Sequence, residues 1–408
     1  MADRQVEFRG LPLDRTVPAD HRVRSFVALV EPLDLSAFSA SIHSFAGRPG
    51  RPAADPRVLV LVWLYAMDQG VDSARKLAKL CQEHDAYRWL LGGVSTNHHQ
   101  LSDFRVLHPV ALRDVFEQVL VRLEAAGLCH IERQALDGTK SRASAGAASF
   151  RREPRLRRVL QDLGRRGRAH RPPRSPRKAQ AQARSRKERR DRVNQALRGI
   201  PAARRAKKLK ERDEARVSTT DPEARVMKMA DGGFRPAYNV QVSSTTQERI
   251  ITKVTVTSQG TDMGLLEPMQ RALEKEGRLP DEQLMDGGYV KLSDVTKAEA
   301  RGSQVYAPEQ KQKQSEAHQP KADDTEEVAQ WRVRMGQVSA KEIYKERASA
   351  AECVNADLKS HGLVLRVRGL EKVLQVGLWV ALAHNIRSWL SMLRQRFTGD
   401  SLQFLHSL

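Results

Sequence analysis

AYNVQVSSTTQERIITKVTVTS, residues 237–258, decides what kind of fold this chain can build. Tyr238, Val240 and Val242 fall on one face of an extended segment. TTQE (245–248) supplies a turn, and RIITKVTVTS (249–258) returns as the partner strand. Working outward, MGLLEPMQRALEKEG (263–277) has a helical pattern, and EQLMDGGYV (282–290) is a short strand that closes on Asp286. A further helical stretch leads to a strand in SQVYAPE (303–309). Helices follow over 342–362 and 371–393. On the amino-terminal side, CHIERQALDGTKSRA (129–143) reads as a strand carrying Asp137. The order is strand, insertion, hairpin, helix, strand, helix, strand, long helix. That predicts a mixed α/β layer architecture with acids near strand ends, where open sheets form their sites.

The first 128 residues read instead as helices. Asp55 as N-cap and Pro56 at the first helical position open PRVLVLVWLYAMDQG. Asp72 is placed to cap SARKLAKLCQEH (73–84), and a third helix ends at Gly127. Short helices with tight turns fit a helix-turn-helix and also any small bundle, so DNA reading by this region stays open. GRPGRPAADP (47–56) is a joint that could enter a minor groove or serve only as a linker. The adjacent His98 and His99 cannot share a helix face, which makes them loop or cap residues rather than metal ligands.

Charge is distributed unevenly. Residues 151–216 hold 26 Lys and Arg against 7 Asp and Glu, a net +19, while the whole chain of 408 residues carries +21. Such a block suits a polyanion, because each neutralised phosphate releases condensed counterions; a solvated basic linker has the same composition. We expect helix from about Lys178 to Arg198 and again from Pro201, with RPPRSPR (171–177) as a break. Self-repulsion predicts that the block is mobile or loosely helical until phosphates order it. Three dispersed cysteines argue against a disulfide framework and for a reducing compartment. The longest apolar run, VLVLVWLYAM, is too short to span a bilayer, and the first residues lack a signal peptide's apolar stretch.

Asp286-Gly287 alone is a turn signal. What raises it is company: two strands each deliver an Asp, in ALDGTK and LMDGGY. A late helix, YKERASAAECVNADLKSHG, offers Glu352 on one face with Lys345 and Lys359, beside Ala348 and Asn355. Ile343, Ala351, Val354 and Leu358 form its opposite, apolar stripe. Taken in order, LDGTK, DPEARVMK, DGGFRPAYNVQ, MDGGY and YKERASAAECVNADLK resemble the DDE-type transposases of bacterial insertion sequences. GRPAADPRVLVLVWLYAM…LSDFR is similar to that group's helical amino-terminal region.

The resemblance implies an RNase H-like catalytic core over 129–395, interrupted by the basic insertion at 151–216, after a helical domain over 1–128 and before a tail at 396–408. It implies Asp137, Asp286 and Glu352 as catalytic metal ligands, Asp137 bridging two Mg²⁺ ions and the others holding one each, with Mn²⁺ able to substitute. Lys140, Tyr344, Lys345, Arg347 and Lys359 are the implied DNA contacts. One departure stands out. Four residues separate Arg347 from Glu352 where the family has three, which turns Arg347 about 140° away, onto the apolar stripe. Either the helix is irregular there or Arg347 serves another acid. Gly287 and Gly288 are expected to let a DNA backbone approach Asp286. The implied partner is double-stranded DNA, at element ends and target, bound by a homodimer in the bacterial cytoplasm with the nucleoid. A non-catalytic DNA-binding relative and a metal-dependent nuclease without strand transfer are the alternatives.

Overall fold

The computed structural model describes residues 12–39, 54–169, 175–309 and 318–396. The GRPGRP joint therefore lies outside the described residues, as does the tail beyond Arg396. Seven helices come first: α1 (Arg22–Val30), α2 (Ser36–Ser39), α3 (Pro56–Asp68), α4 (Ala74–Glu83), α5 (Asp85–Leu91), α6 (His98–Leu107) and α7 (Pro109–Ala125). Asp55 caps α3 as its sequence predicts, accepting from the Arg57 N–H at 2.8 Å. The cap of α4 is Ser73 and not Asp72. Asp72 is drawn off by Arg366, whose Nε lies 2.7 Å from its carboxylate. His98 and His99 open α6, which Asn97 caps.

Strand β1 (Arg133–Arg142) begins the sheet. The chain then leaves through β2 (Phe150–Arg151), α8 (Glu153–Ala169), α9 (Pro176–Arg205) and β3 (Val217–Ser218), β2 and β3 forming a separate two-stranded ribbon. It returns as β4 (Arg225–Lys228), β5 (Phe234–Thr245) and β6 (Ile251–Thr257). After α10 (Leu266–Lys275) come β7 (Glu282–Met285), α11 (Leu292–Ala300) and β8 (Gln304–Tyr306). Three helices close the chain: α12 (Glu326–Gly336), α13 (Val338–Ser360) and α14 (Leu370–Arg396).

The six-stranded sheet runs β4-β5-β1-β7-β8, with β6 also on β5. The expected hairpin is β5–β6, antiparallel, with a register shift between Ser243 and Ser244. Strand β1 sits between an antiparallel neighbour, β5, and a parallel one, β7, which in turn pairs β8 in parallel.

Helix α14 explains how the amino-terminal helices join this sheet. Residues all round it are buried, from Val373 to Leu393, as expected of a helix covered on both sides. It lies on β5 and β6 so closely that a Cβ on Gly377 would stand 3.2 Å from Val254. On its other side it meets α3 and α7. One apolar cluster therefore runs from Trp63 and Phe116 through Trp379 to Val240 and Val254. Trp379 also donates to the Arg105 carbonyl at 3.1 Å. No helix among the described residues is long and apolar enough to cross a membrane.

The basic block departs from expectation. Helix α9 runs unbroken for 30 residues, with Pro201 inside it and not at the start of a second helix. Leu156 of α8 packs with Val193, Ala196, Ile200 and Ala203 of α9 in a small core, joined by Ala215 and Val217. Charge repulsion is strong only where like charges are close and unscreened; here the basic side chains point outward and a thin apolar seam suffices to pair the helices.

Candidate active site

The two strand-borne acids meet because of register. In the parallel β1–β7 pair, Leu136 stands opposite Met285. Asp137 and Asp286 each follow by one residue, so they lie side by side where β7 ends. Neighbouring strands are about 4.8 Å apart, close enough for two carboxylates to share one environment. Asp286 does begin a turn, its carbonyl accepting from the Tyr289 N–H at 3.0 Å. Its side chain makes no cap hydrogen bond and is exposed, which leaves the carboxylate unspent.

Asp137 is held more tightly. One oxygen accepts from the Gly138 N–H and the other from Asn355 Nδ2, each at 2.9 Å. Burial pushes its carboxyl above the ordinary range. The Gly138 N–H and Arg347 pull it back, and Asp262 and Asp286 push it up again. A half-buried carboxyl flanked by two more carboxylates is a place short of positive charge.

Helix α13 supplies the remaining groups and is regular throughout, so the four-residue spacing has its geometric consequence. Arg347 turns to Asp137, with Nη1 4.0 Å from Oδ2, and its guanidinium lies 5.9 Å from the Tyr344 ring centroid. Asn355, expected on the open face beside Glu352, is instead buried against Asp137. Ala350 and Ala351 pack on Ala135 of β1, which brings the helix close. Glu352 is exposed and has no partner among the described residues. Lys345 is bound to Glu342 at 2.7 Å. The helix is pinned in its first half by Glu346, which takes hydrogen bonds from Arg133 and Thr246, and near its end by Asp357, which meets His384 and Arg387 of α14.

Beside the acids opens a groove of about 590 Å³. Lys140 and Lys359 line it, together with three cationic residues that the sequence motifs do not single out: Arg142, Lys228 and Arg235. Lys228 and Arg235 lie in the quoted stretches DPEARVMK and DGGFRPAYNVQ, but only the β1–β5 pairing brings Arg235 beside β1 and only the β4–β5 pairing adds Lys228.

Asp262 is the other residue that sequence reasoning misses. It accepts from Asn239 at 2.7 Å and from Gln241 at 2.9 Å, and Gln241 in turn accepts from the Tyr289 hydroxyl. A Cβ on Gly138 would lie 2.2 Å from the Gln241 amide, so glycine after Asp137 is required by this chain of bonds. The Tyr of the MDGGY stretch thus connects the Asp286 turn to the hairpin. Gly287 serves packing: the Pro308 carbonyl is 3.1 Å from where its Cβ would be. Gly288 is exposed, with open space around it apart from Asp286.

The donor chemistry at Asp137 and Asp286 fits a hard divalent cation: carboxylate oxygens, one pair half-buried and one exposed, in a locally negative place. Glu352, the third expected ligand, is exposed. Among the described residues no three His, Cys, Asp or Glu side chains converge closely enough to hold a metal ion.

Comparison with known proteins gives one finding. Residues 11–107 match the family described as "Transposase domain (DUF772)". No curated protein and no solved structure matches the chain significantly. The matched segment covers α1 to α6, helices that share their core with α14 and the sheet behind the acids. The amino-terminal quarter of the chain is thus similar to a transposase domain, which supports a transposase role and, with it, a DNA partner.

Proposed function

We propose that this chain is a DDE-type DNA transposase that cuts phosphodiester bonds at insertion-sequence ends and joins the freed 3′ ends to target DNA. The observation that carries the reading is the β1–β7 register, which sets Asp137 and Asp286 side by side on neighbouring parallel strands. A sheet with β1 flanked by an antiparallel hairpin and by two parallel strands supports an RNase H-like core. The transposase-domain match over 11–107 supports the class of reaction.

Asp137, Asp286 and Glu352 would hold Mg²⁺ or Mn²⁺. Such ions would supply charge stabilisation for the entering and leaving oxygens of an in-line displacement. The chain's own part is to position. Gly138 and Asn355 fix both oxygens of Asp137, and Arg347 limits the repulsion among the acids. Lys140, Arg142, Lys228, Arg235 and Lys359 line a groove that suits phosphates leading to the acids. Water, and then a DNA 3′-hydroxyl, serve as nucleophiles, so no covalent protein–DNA intermediate is needed.

Glu352 is exposed and no three His, Cys, Asp or Glu side chains converge among the described residues, as the non-catalytic DNA-binding alternative would have it. One assay decides: purified protein, Mg²⁺, and DNA carrying the flanking inverted repeats. Nicking at the repeat ends with joined products supports transposition. Nicking without joined products makes the chain a nuclease, and binding without nicking makes it a non-catalytic relative.

A further inference from the structure

The hairpin of α8 and α9 leaves the sheet by way of β2, which starts only eight residues after β1 ends. Its base is tied down. The β2–β3 ribbon closes it, Arg204 reaches Glu153 at 3.1 Å, and Arg152 reaches Glu214 at 2.9 Å. Beyond that base, α9 has no buried residue from Pro176 to Arg192. Along this outer stretch Arg177, Lys178, Arg184, Lys187, Arg189 and Arg190 are exposed, and none of them is paired with an acid among the described residues. In the sheet region, by contrast, Arg133, Arg278, Arg301, Arg332, Arg334 and Arg387 all have carboxylate partners.

We infer that the α8–α9 hairpin is a fixed arm that docks along the phosphate backbone of duplex DNA beside the acidic site. Three observations select that partner. The unpaired charge runs from Arg177 to Arg190, about 20 Å of helix, a length that follows several successive phosphates of a duplex strand. Residues 151–216 contain no Phe, Trp or Tyr, so the arm lacks the stacking platforms that single-stranded bases require. Its base is built into the chain directly after the Asp137 strand, which fixes where a docked duplex would run relative to the site. The inference rests on the proposed DNA function, but binding alone tests it.

Full-length protein would be titrated with a 40-base-pair duplex of arbitrary sequence across a range of NaCl, by fluorescence anisotropy. Arg177→Gln, Arg184→Gln and Lys187→Gln would be combined in one variant. A second variant would combine Lys275→Gln, Lys297→Gln and Lys341→Gln, exposed lysines outside the arm and the groove. The expected result is a log–log salt slope shallower by about 2.7 for the arm variant, at about 0.9 for each phosphate that is no longer neutralised. The control variant should keep the wild-type slope, and circular dichroism should show equal helix in all three proteins. Equal slopes for arm variant and wild type would overturn the arm while leaving the transposase reading intact. Tighter binding to single-stranded DNA or to RNA than to duplex would overturn it as well. A shallower slope in the arm variant without Mg²⁺-dependent cutting of end-bearing DNA by the wild type would uphold the arm and sink the catalytic proposal.

Discussion

The sheet around Asp137 and the arm of α8 and α9 handle charge in opposite ways. In the sheet region charged groups are half-buried and matched: Arg133 lies between Glu282 and Glu346, and Asp357 between His384 and Arg387. Asp137 is the exception that proves useful, crowded by Asp262 and Asp286 and only partly answered by Arg347. On the outer arm, charge is exposed and predominantly positive, and water screens it. Buried, matched charge builds a rigid frame and makes any mismatch costly. Exposed, unmatched charge costs the fold little and remains available to a partner.

The largest effect that would break this contrast lies at the acids. Asp137→Asn, Asp286→Asn and Glu352→Gln should each lower Mg²⁺-dependent cleavage at least about 100-fold while leaving DNA binding within about twofold. Glu352→Gln is the sharpest of the three. Near wild-type cleavage by that variant would remove Glu352 from the site, in keeping with its exposed position on α13. With Ca²⁺ in place of Mg²⁺, binding should persist without efficient cleavage, because calcium's looser coordination positions reactants poorly.

Next comes the frame. Asp357→Ala should destabilise the protein by about 2 kcal/mol, since it leaves His384 without its carboxylate and Arg387 with only Asp68, at 3.8 Å. Burial alone would raise the Asp357 carboxyl, but the His384 hydrogen bond and the Arg387 charge outweigh it and hold it below the ordinary range. Its contribution is therefore present above the unfolded carboxylate pKa and lost as the pH falls through the lower folded value. A urea midpoint that does not move at pH 7 would count against this pinning of α13 on α14. Gly138→Ala should cost about 1 kcal/mol and lower activity more than stability, because the Gln241 amide must leave the site of the new methyl. Gln241→Ala in the same background should recover part of that stability; no recovery would locate the clash elsewhere.

The smallest effects separate the two regions most cleanly. Asp137 has a raised carboxyl pKa, so any stability it adds is present below the ordinary carboxylate value and lost as the pH rises through the folded one. Asp137→Asn should then raise Tm by about 1–3 °C at pH 7, with no gain near pH 3. The Asn355 amide can turn to offer its unpartnered oxygen. Added Mg²⁺ should raise the Tm of the wild type more than that of this variant, a sign of binding that does not depend on catalysis. Neutralising Arg184 and Lys187 on the arm should leave Tm within about 1 °C, as exposed unpaired charges contribute little to the fold.

Much of this is legible in the sequence because it is local. The alternation of Tyr238, Val240 and Val242 specifies a strand whatever surrounds it, and Asp55-Pro56 specifies a helix start. The net +19 of residues 151–216 follows from composition alone, and the spacing of Arg347 and Glu352 on a regular helix already separates them. Which acid Arg347 serves is a different matter. Only the crossing of α13 over β1 assigns it to Asp137, just as only register sets Asp137 beside Asp286 and only the pairing of β5 with β1 and of β4 with β5 carries Arg235 and Lys228 to the groove. Asp262 is invisible in the sequence for the same reason: its partners, Asn239 and Gln241, lie more than 20 residues away in the chain. Helix and strand propensities act over a few residues, whereas the site is made of contacts between segments that meet only once the apolar faces of α13, α14 and the sheet have been buried together.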